Sequence, residues 1–225
     1  MRRAKQRLRF RQAPPKNGLK YHYDTPGSMP GTLTIDHDAA PPKLCLIDYS
    51  RNAVEQLLLE HPEDCKPYLD SASVSWVDLQ GFGNEAIVRR LGEVFGLHPL
   101  VLEDVVNVPQ RPKVEDYRDQ LVMIAQMVIP EPASGGFWSE QVSLILGKSY
   151  LLTVQEEPER DCFEPVRQRI RANKGSIRQN GSDYLAYALL DSIIDGFFPV
   201  LEAYGERIED LENEVIGRPT PQTLD

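Results

Sequence analysis

Between Gly96 and Val128 the chain reads GLHPLVLEDVVNVPQRPKVEDYRDQLVMIAQMV, and its prolines decide where a helix can lie. Pro99 suits a first helical position, where no N–H is needed and φ is already set. Leu100, Val101, Leu102, Val105 and Val106 give this short helix a broad apolar face. Pro109 and Pro112 cannot donate backbone hydrogen bonds, so the helix stops before them. The segment QRPKVEDYRDQ then reads as a charged connector, and Leu121–Val128 as a buried strand interrupted only by Gln126. Glu103 and Asp104 place two adjacent carboxylates inside the helix.

Around this stretch the pattern mixes strands and helices. Residues 1–42, with two Pro-Pro pairs and the turn-rich DTPGSMPG, read as a flexible basic region with an edge strand at Thr32–Ile35. Lys43–Tyr49 predicts a strand, Arg51–His61 an amphipathic helix ending near Pro62, and Val74–Leu79 a half-buried strand. Gly83–Phe95 predicts a helix with Ile87, Leu91, Val94 and Phe95 on one side, capped by Asn84 and stopped by Gly96. Strands follow at Leu121–Ile129, Gln141–Leu146 and Tyr150–Gln155; SGGFW links the first two, and a GKS turn makes the last two a hairpin. This is an α/β fold, a mixed β-sheet layered between helices as an α/β/α sandwich. From Phe163 the chain is helical, with breaks at Asn173–Gly175 and Asn180–Gly181. The expected organisation is a flexible region 1–42, an α/β domain 43–160 and a helical segment 161–225.

Leu190, Ile194, Phe197, Leu201, Tyr204, Ile208, Leu211 and Val215 step alternately by four and three, the seam of a coiled coil. Gly196 and Pro199 invite a kink in it. The sequence ends at RPTPQTLD, where a second helix is expected to begin, so the C-terminal segment reads as half of a coiled-coil hairpin.

Charge and cysteine usage narrow the function. The net charge of −9 hides a basic start, because the first twenty residues carry Lys and Arg but no acid. The acidic remainder repels nucleic-acid phosphates and suits cations. Cys45, Cys65 and Cys162 are scattered and form no metal-type pair, which fits a reducing compartment. No uninterrupted apolar run approaches the roughly 20 residues that span a bilayer, and the N-terminus lacks a signal peptide's apolar core.

No nucleophile constellation or phosphate-binding glycine loop is present, and His98 before Pro99 reads as a helix cap. Enzyme activity is not expected; a metal-dependent hydrolase using the acidic pairs is the alternative from that class. A coiled-coil interaction protein is a further reading of the seam. The carboxylates carry more. Asp191 and Asp195 share a helix face at a spacing where like charges repel, and Glu103 with Asp104 adds a second acidic pair. Oxygen ligands without Cys or His suit hard cations. A solvated acidic face accounts for the same pattern.

The run from Gly96 to Glu115, with 139–157, 163–173 and 183–216, resembles the cytosolic portion of the CorA family of magnesium transporters, over roughly Ser73 to Pro219. The resemblance implies a regulatory domain on the cytosolic face of the inner membrane, in a homopentamer whose stalk, membrane helices and Gly-Met-Asn pore signature would follow residue 225. It implies magnesium binding between neighbouring domains that favours the closed pore. Asp104, with Glu103 beside it, and Asp191 match the family's acidic positions, completed by an acid on a neighbour's stalk; Asp195, on the same helix face as Asp191, is a further candidate ligand, and Gly196 stands where some relatives carry a further acid. Cobalt, calcium or zinc are alternative ions, and a zinc transporter of the same superfamily is the nearest alternative function. Alone, this chain is expected to be a monomer or weak dimer that binds magnesium weakly.

Overall fold

The computed structural model describes residues 29, 31–35, 39–131, 136–158 and 160–217. The strands are β1 (Lys43–Tyr49), β2 (Val54–Leu59), β3 (Val74–Gln80), β4 (Lys113–Tyr117), β5 (Gln120–Glu131), β6 (Gly136–Leu146) and β7 (Tyr150–Gln155). They form one sheet in the order β2-β1-β3-β7-β6-β5-β4. Among the described residues only β3 and β7 pair in parallel; the other pairs are antiparallel. That single parallel pair requires a long crossover, which carries two helices and three strands before β7 returns beside β3.

The helices α1 (Glu85–Phe95), α2 (Pro99–Val106), α3 (Glu164–Arg171), α4 (Ser182–Asp195) and α5 (Phe197–Gly217) complete the fold. Two cores result, one on each face of the sheet. Val88, Leu91, Phe95, Val101 and Val105 of α1 and α2 pack with Leu46, Val77, Ile145 and Leu152. Val166, Ile170, Leu185, Leu189 and Ile193 of α3 and α4 pack with Trp76, Val142, Leu144 and Leu151. The expected α/β/α sandwich is present.

Several local expectations are corrected. Arg51–His61 is not a helix: a turn at Ser50–Ala53 sends the chain back as β2, opposite β1, and Pro62–Tyr68 is a 3-10 helix. Leu57 and Leu59, two residues apart, both lean on the first core, which is a strand's period. The connector QRPKVEDYRDQ contains β4, an edge strand joined to β5 through Arg118, whose φ of 55° makes the tight reversal. Thr32–Ile35 is irregular; it contributes Leu33 to the first core without pairing as a strand. SGGFW is not wholly a link, since Gly136, Phe137 and Trp138 belong to β6. The basic start and RPTPQTLD lie outside the described residues.

The long C-terminal helix is present, and its seam is covered only at the start. Leu190 packs against the second core, but Ile194, Leu201, Ile208, Leu211 and Val215 face solvent, and Tyr204 meets Phe137 edge-on at 6.3 Å with the Arg207 guanidinium over its ring. Gly196 separates the buried half from the exposed one, close enough to β5 that a Cβ would come within 2.9 Å of the Val128 carbonyl oxygen. By length and mean hydropathy alone, the helical run Ser182–Gly217 is long and apolar enough to cross a membrane, although charged residues interrupt it. Its first half is instead held by the sheet, through Leu185, Ala186, Ala188, Leu189 and Ile193.

Candidate metal centre

The helix carrying Glu103 and Asp104 is placed by its ends. Gly96, at φ 62°, takes the left-handed turn that closes α1. His98 Nδ1 then accepts from the Leu100 N–H at 3.2 Å, the capping role expected of it. Leu102 lies flat against Gly92 of α1, where a Cβ would collide with its methyls. At the other end, Gln141 of β6 works as a clamp. Its Nε2 donates to the Asp104 carbonyl oxygen at 3.1 Å, and its Oε1 accepts from the Gln110 N–H at 2.6 Å. Gln141 is buried, so the Asp104 backbone is fixed to the sheet itself.

The two acids of α2 already have partners. The Glu103 carboxylate accepts from the Gly31 N–H at 2.7 Å, pinning the segment before β1 across α2. The Asp104 Oδ2 lies 2.7 Å from Lys113 Nζ, at the start of β4. The same ammonium reaches Glu115 at 3.2 Å, and the Tyr117 hydroxyl donates to the other Glu115 oxygen at 3.3 Å. Lys113, Glu115 and Tyr117 share one face of β4 because alternate residues of a strand do.

Asp191 and Asp195 lie on α4, exposed and without a hydrogen-bond or ion-pair partner among the described residues. Since α2 packs on one face of the sheet and α4 on the other, the chain does not gather the two acidic pairs. Among the described residues no group of three or more His, Cys, Asp or Glu is placed to hold a metal ion. The donors present suit a hard cation in kind, but each face supplies only part of the roughly six oxygens that magnesium takes.

A second charged cluster is of another kind. Beside β1 and the carboxyl end of β3, a cavity of about 350 Å³ is lined by Lys43, Asp78, Asp161 and Arg167 among others. Arg167 donates to Asp161 through both terminal nitrogens and to Asp78 at 2.7 Å. Asp78 also accepts from Gln80, Thr153 and Gln155. Elsewhere, Glu140 of β6 is buried with one oxygen accepting from the Glu157 N–H and the other without a partner. Burial, with the nearby Glu156 and Glu157 carboxylates adding repulsion, pushes it up to about 9.

A model of the family described as CorA-like Mg2+ transporter protein matches residues 71–225, more than half of the chain. This chain belongs to that family. The cobalt/magnesium transport protein CorA of Thermotoga maritima is 39% identical over 199 residues, 88% of this chain and 56% of its own length. The chain therefore spans little more than half of that relative. Among solved structures, the complete CorA magnesium transporter of Methanocaldococcus jannaschii matches 80% of this chain and 53% of that one, with a TM-score of 0.58 at 15% identity. The full-length CmaX protein matches the same shares with a TM-score of 0.62 at 12% identity. These likenesses confirm the fold. The family is one of transporters, not enzymes, so the hydrolase reading is set aside.

Lys113, Gln141 and the Asp78–Arg167 cluster were not singled out from sequence. A lysine nine residues after Asp104, beyond two prolines, gives no periodic sign that the two meet. The strand alternation of KVEDY was the one available clue.

Proposed function

We propose that this chain is the cytosolic regulatory part of a CorA-type divalent-cation transporter, with residues 161–225 leading from the α/β domain towards the membrane portion. Magnesium is the favoured cation and cobalt the second, as the Thermotoga relative's name suggests. In this reading the domains stand side by side in a homopentamer. Asp104, with Glu103, on one copy faces Asp191 and Asp195 on the next, and a bound cation draws the copies together and favours the closed pore. One observation carries this reading: Asp191 and Asp195 are exposed and unpartnered on the face of the sheet opposite Asp104. A cation shared between copies uses both pairs; one bound within a copy cannot.

The experiment is magnesium-dependent self-association of the 225-residue chain, followed by sedimentation. The chain alone is expected to be monomeric or weakly dimeric at micromolar concentration. Magnesium in the millimolar range of sparse oxygen sites should promote association. Asp104→Asn and Asp191→Asn should each weaken that response, and an equal mixture of the two variants should recover part of it, because one intact pair of faces survives. Binding by an isolated monomer at micromolar magnesium, lost in Asp104→Asn alone, would defeat the shared-site reading.

A further inference from the structure

We propose that Lys113 is an internal competitor for the cation at Asp104, a built-in charge that sets the concentration at which a divalent cation is accepted. This rests on the reading of Asp104 as part of a shared cation site. It starts from the ion pair itself. Lys113 Nζ stands 2.7 Å from Asp104 Oδ2, the position a cation must approach to use that oxygen. A hydrated or directly bound divalent ion and an ammonium cannot both take it, because two cations at that separation repel strongly even with partial solvent screening.

The surroundings provide the alternative position. Glu115 lies 3.2 Å from the same ammonium, and its second oxygen receives the Tyr117 hydroxyl at 3.3 Å. When a divalent cation takes Asp104, Lys113 keeps Glu115 and is not left as an unpaired charge. Asp104 does not follow the lysine, since Gln141 holds its carbonyl to β6. The moving part is thus one flexible side chain between two fixed carboxylates. Both ion pairs are partly open to water, with Lys113 about one-third exposed, so exchange does not require burying or stranding a charge.

This arrangement also gives discrimination against weakly charged competitors. A monovalent cation offers Asp104 no more charge than the ammonium already there, and it arrives without the tether that keeps Lys113 local. A divalent cation offers twice the charge. The lysine therefore raises the threshold for all cations and favours those of higher charge.

The test titrates magnesium against five proteins: the unaltered chain, Lys113→Met, Lys113→Arg, Asp104→Asn and the Lys113→Met/Asp104→Asn double variant, with self-association and calorimetry as readouts. A thermal melt of each variant checks folding, and Lys113→Gln replaces Lys113→Met if the latter melts early. Lys113→Met is expected to lower the magnesium midpoint about tenfold, the effect of removing one partly screened charge beside the ligand. Lys113→Arg keeps the charge and should keep the midpoint within about twofold. Combining Lys113→Met with Asp104→Asn should erase the gain. Sodium at matched ionic strength should not mimic magnesium in any of the proteins. If Lys113→Met leaves the midpoint unchanged or raises it while Asp104→Asn still weakens binding, the lysine is only a structural partner and the inference fails with the site intact. Equal shifts in the Met and Arg variants would also sink it, since charge would then not matter. If Asp104→Asn has no effect, or no protein responds to magnesium, the cation site itself is wrong and the inference falls with it.

Discussion

Two clusters in this molecule join a basic side chain to two carboxylates, and they behave differently because water reaches them differently. In the Asp78–Arg167–Asp161 cluster, Asp78 is 4% exposed and Arg167 14%. Four donors saturate the Asp78 carboxylate, the guanidinium binds Asp161 through both terminal nitrogens, and it lies 5.0 Å from the Trp76 ring centre. In the Asp104–Lys113–Glu115 cluster the lysine is 31% exposed, its bonds are single, and it is shared. The planar fork of Arg suits a fixed, bidentate lock, whereas the flexible stem of Lys suits a charge that changes partner. The first cluster ties α3 to the two parallel strands. The second borders the proposed cation site.

The comparison breaks or holds on one pair of variants. Arg167→Met strands two nearly buried carboxylates and should cost about 3–5 kcal/mol. Lys113→Met, at a partly solvated pair, should cost less than about 1 kcal/mol. Urea unfolding of the two proteins measures both. Equal losses would mean that solvent access does not separate lock from switch here.

Gln141 sharpens the contrast from the protein side. If Asp104 is presented by a rigid backbone, Gln141→Leu should harm both stability and cation response. It leaves the half-buried Asp104 carbonyl and Gln110 N–H without their side-chain partner. That should cost about 1–3 kcal/mol and raise the magnesium midpoint. A stability loss with an unchanged midpoint would show that the carboxylate finds its place without the clamp.

Among the described residues, Glu140 is the buried acid without a basic partner, the case between lock and switch. Its folded pKa, about 9, lies above the usual carboxylate value of 4.5 because burial disfavours the charged form. The folded chain therefore holds a proton that the unfolded chain has released. The associated stability is full below the unfolded value and is lost as pH rises from about 4.5 towards about 9. Glu140→Gln keeps an oxygen for the Glu157 N–H but cannot ionise. Its stability relative to the native chain should rise between pH 5 and 8 by about 1 kcal/mol or more. A difference that stays flat across that window would mean that the carboxyl is neutral in neither state, or has access to water.

Much of this architecture was legible, and the parts that were not share a cause. Asn84, Gly96 and His98 carry their structural meaning in their own chemistry, as caps and a stop, so α1 and α2 were readable from local residues. The strands β1, β3, β5, β6 and β7 were readable because their apolar runs fill two cores. At the two edges of the sheet that signal fades. Edge strand β2 has apolar residues that also suit a helix face, and β4 is mostly charged. Pairing partners decide both, and a partner is not written in the strand's own residues. The site followed the same rule. Glu103, Asp104, Asp191 and Asp195 were nameable from type and spacing, whereas Lys113, meeting Asp104 across a helix end and two prolines, was not.

The smallest expected effect concerns the seam, where pattern and packing part company. Leu189 on α4 and Leu201 on α5 both lie on one helical run, yet Leu189 is fully buried and Leu201 is 62% exposed. The four-three spacing records that a face is apolar; it does not record what covers it. Gly196 marks the change, since β5 touches the helix there and, among the described residues beyond it, only Val200 is buried. Leu189→Ala should therefore cost about 2–5 kcal/mol by opening a cavity in the second core. Leu201→Ala in the same chain should stay within about 0.5 kcal/mol, as at other solvated positions. The exposed leucine does have a measurable role if α5 pairs with another helix: Leu201→Ala would then weaken association of the chain while leaving its dilute-solution melt unchanged. A large loss of stability in a dilute monomer would place Leu201 inside a packed interface of its own domain and overturn the division at Gly196.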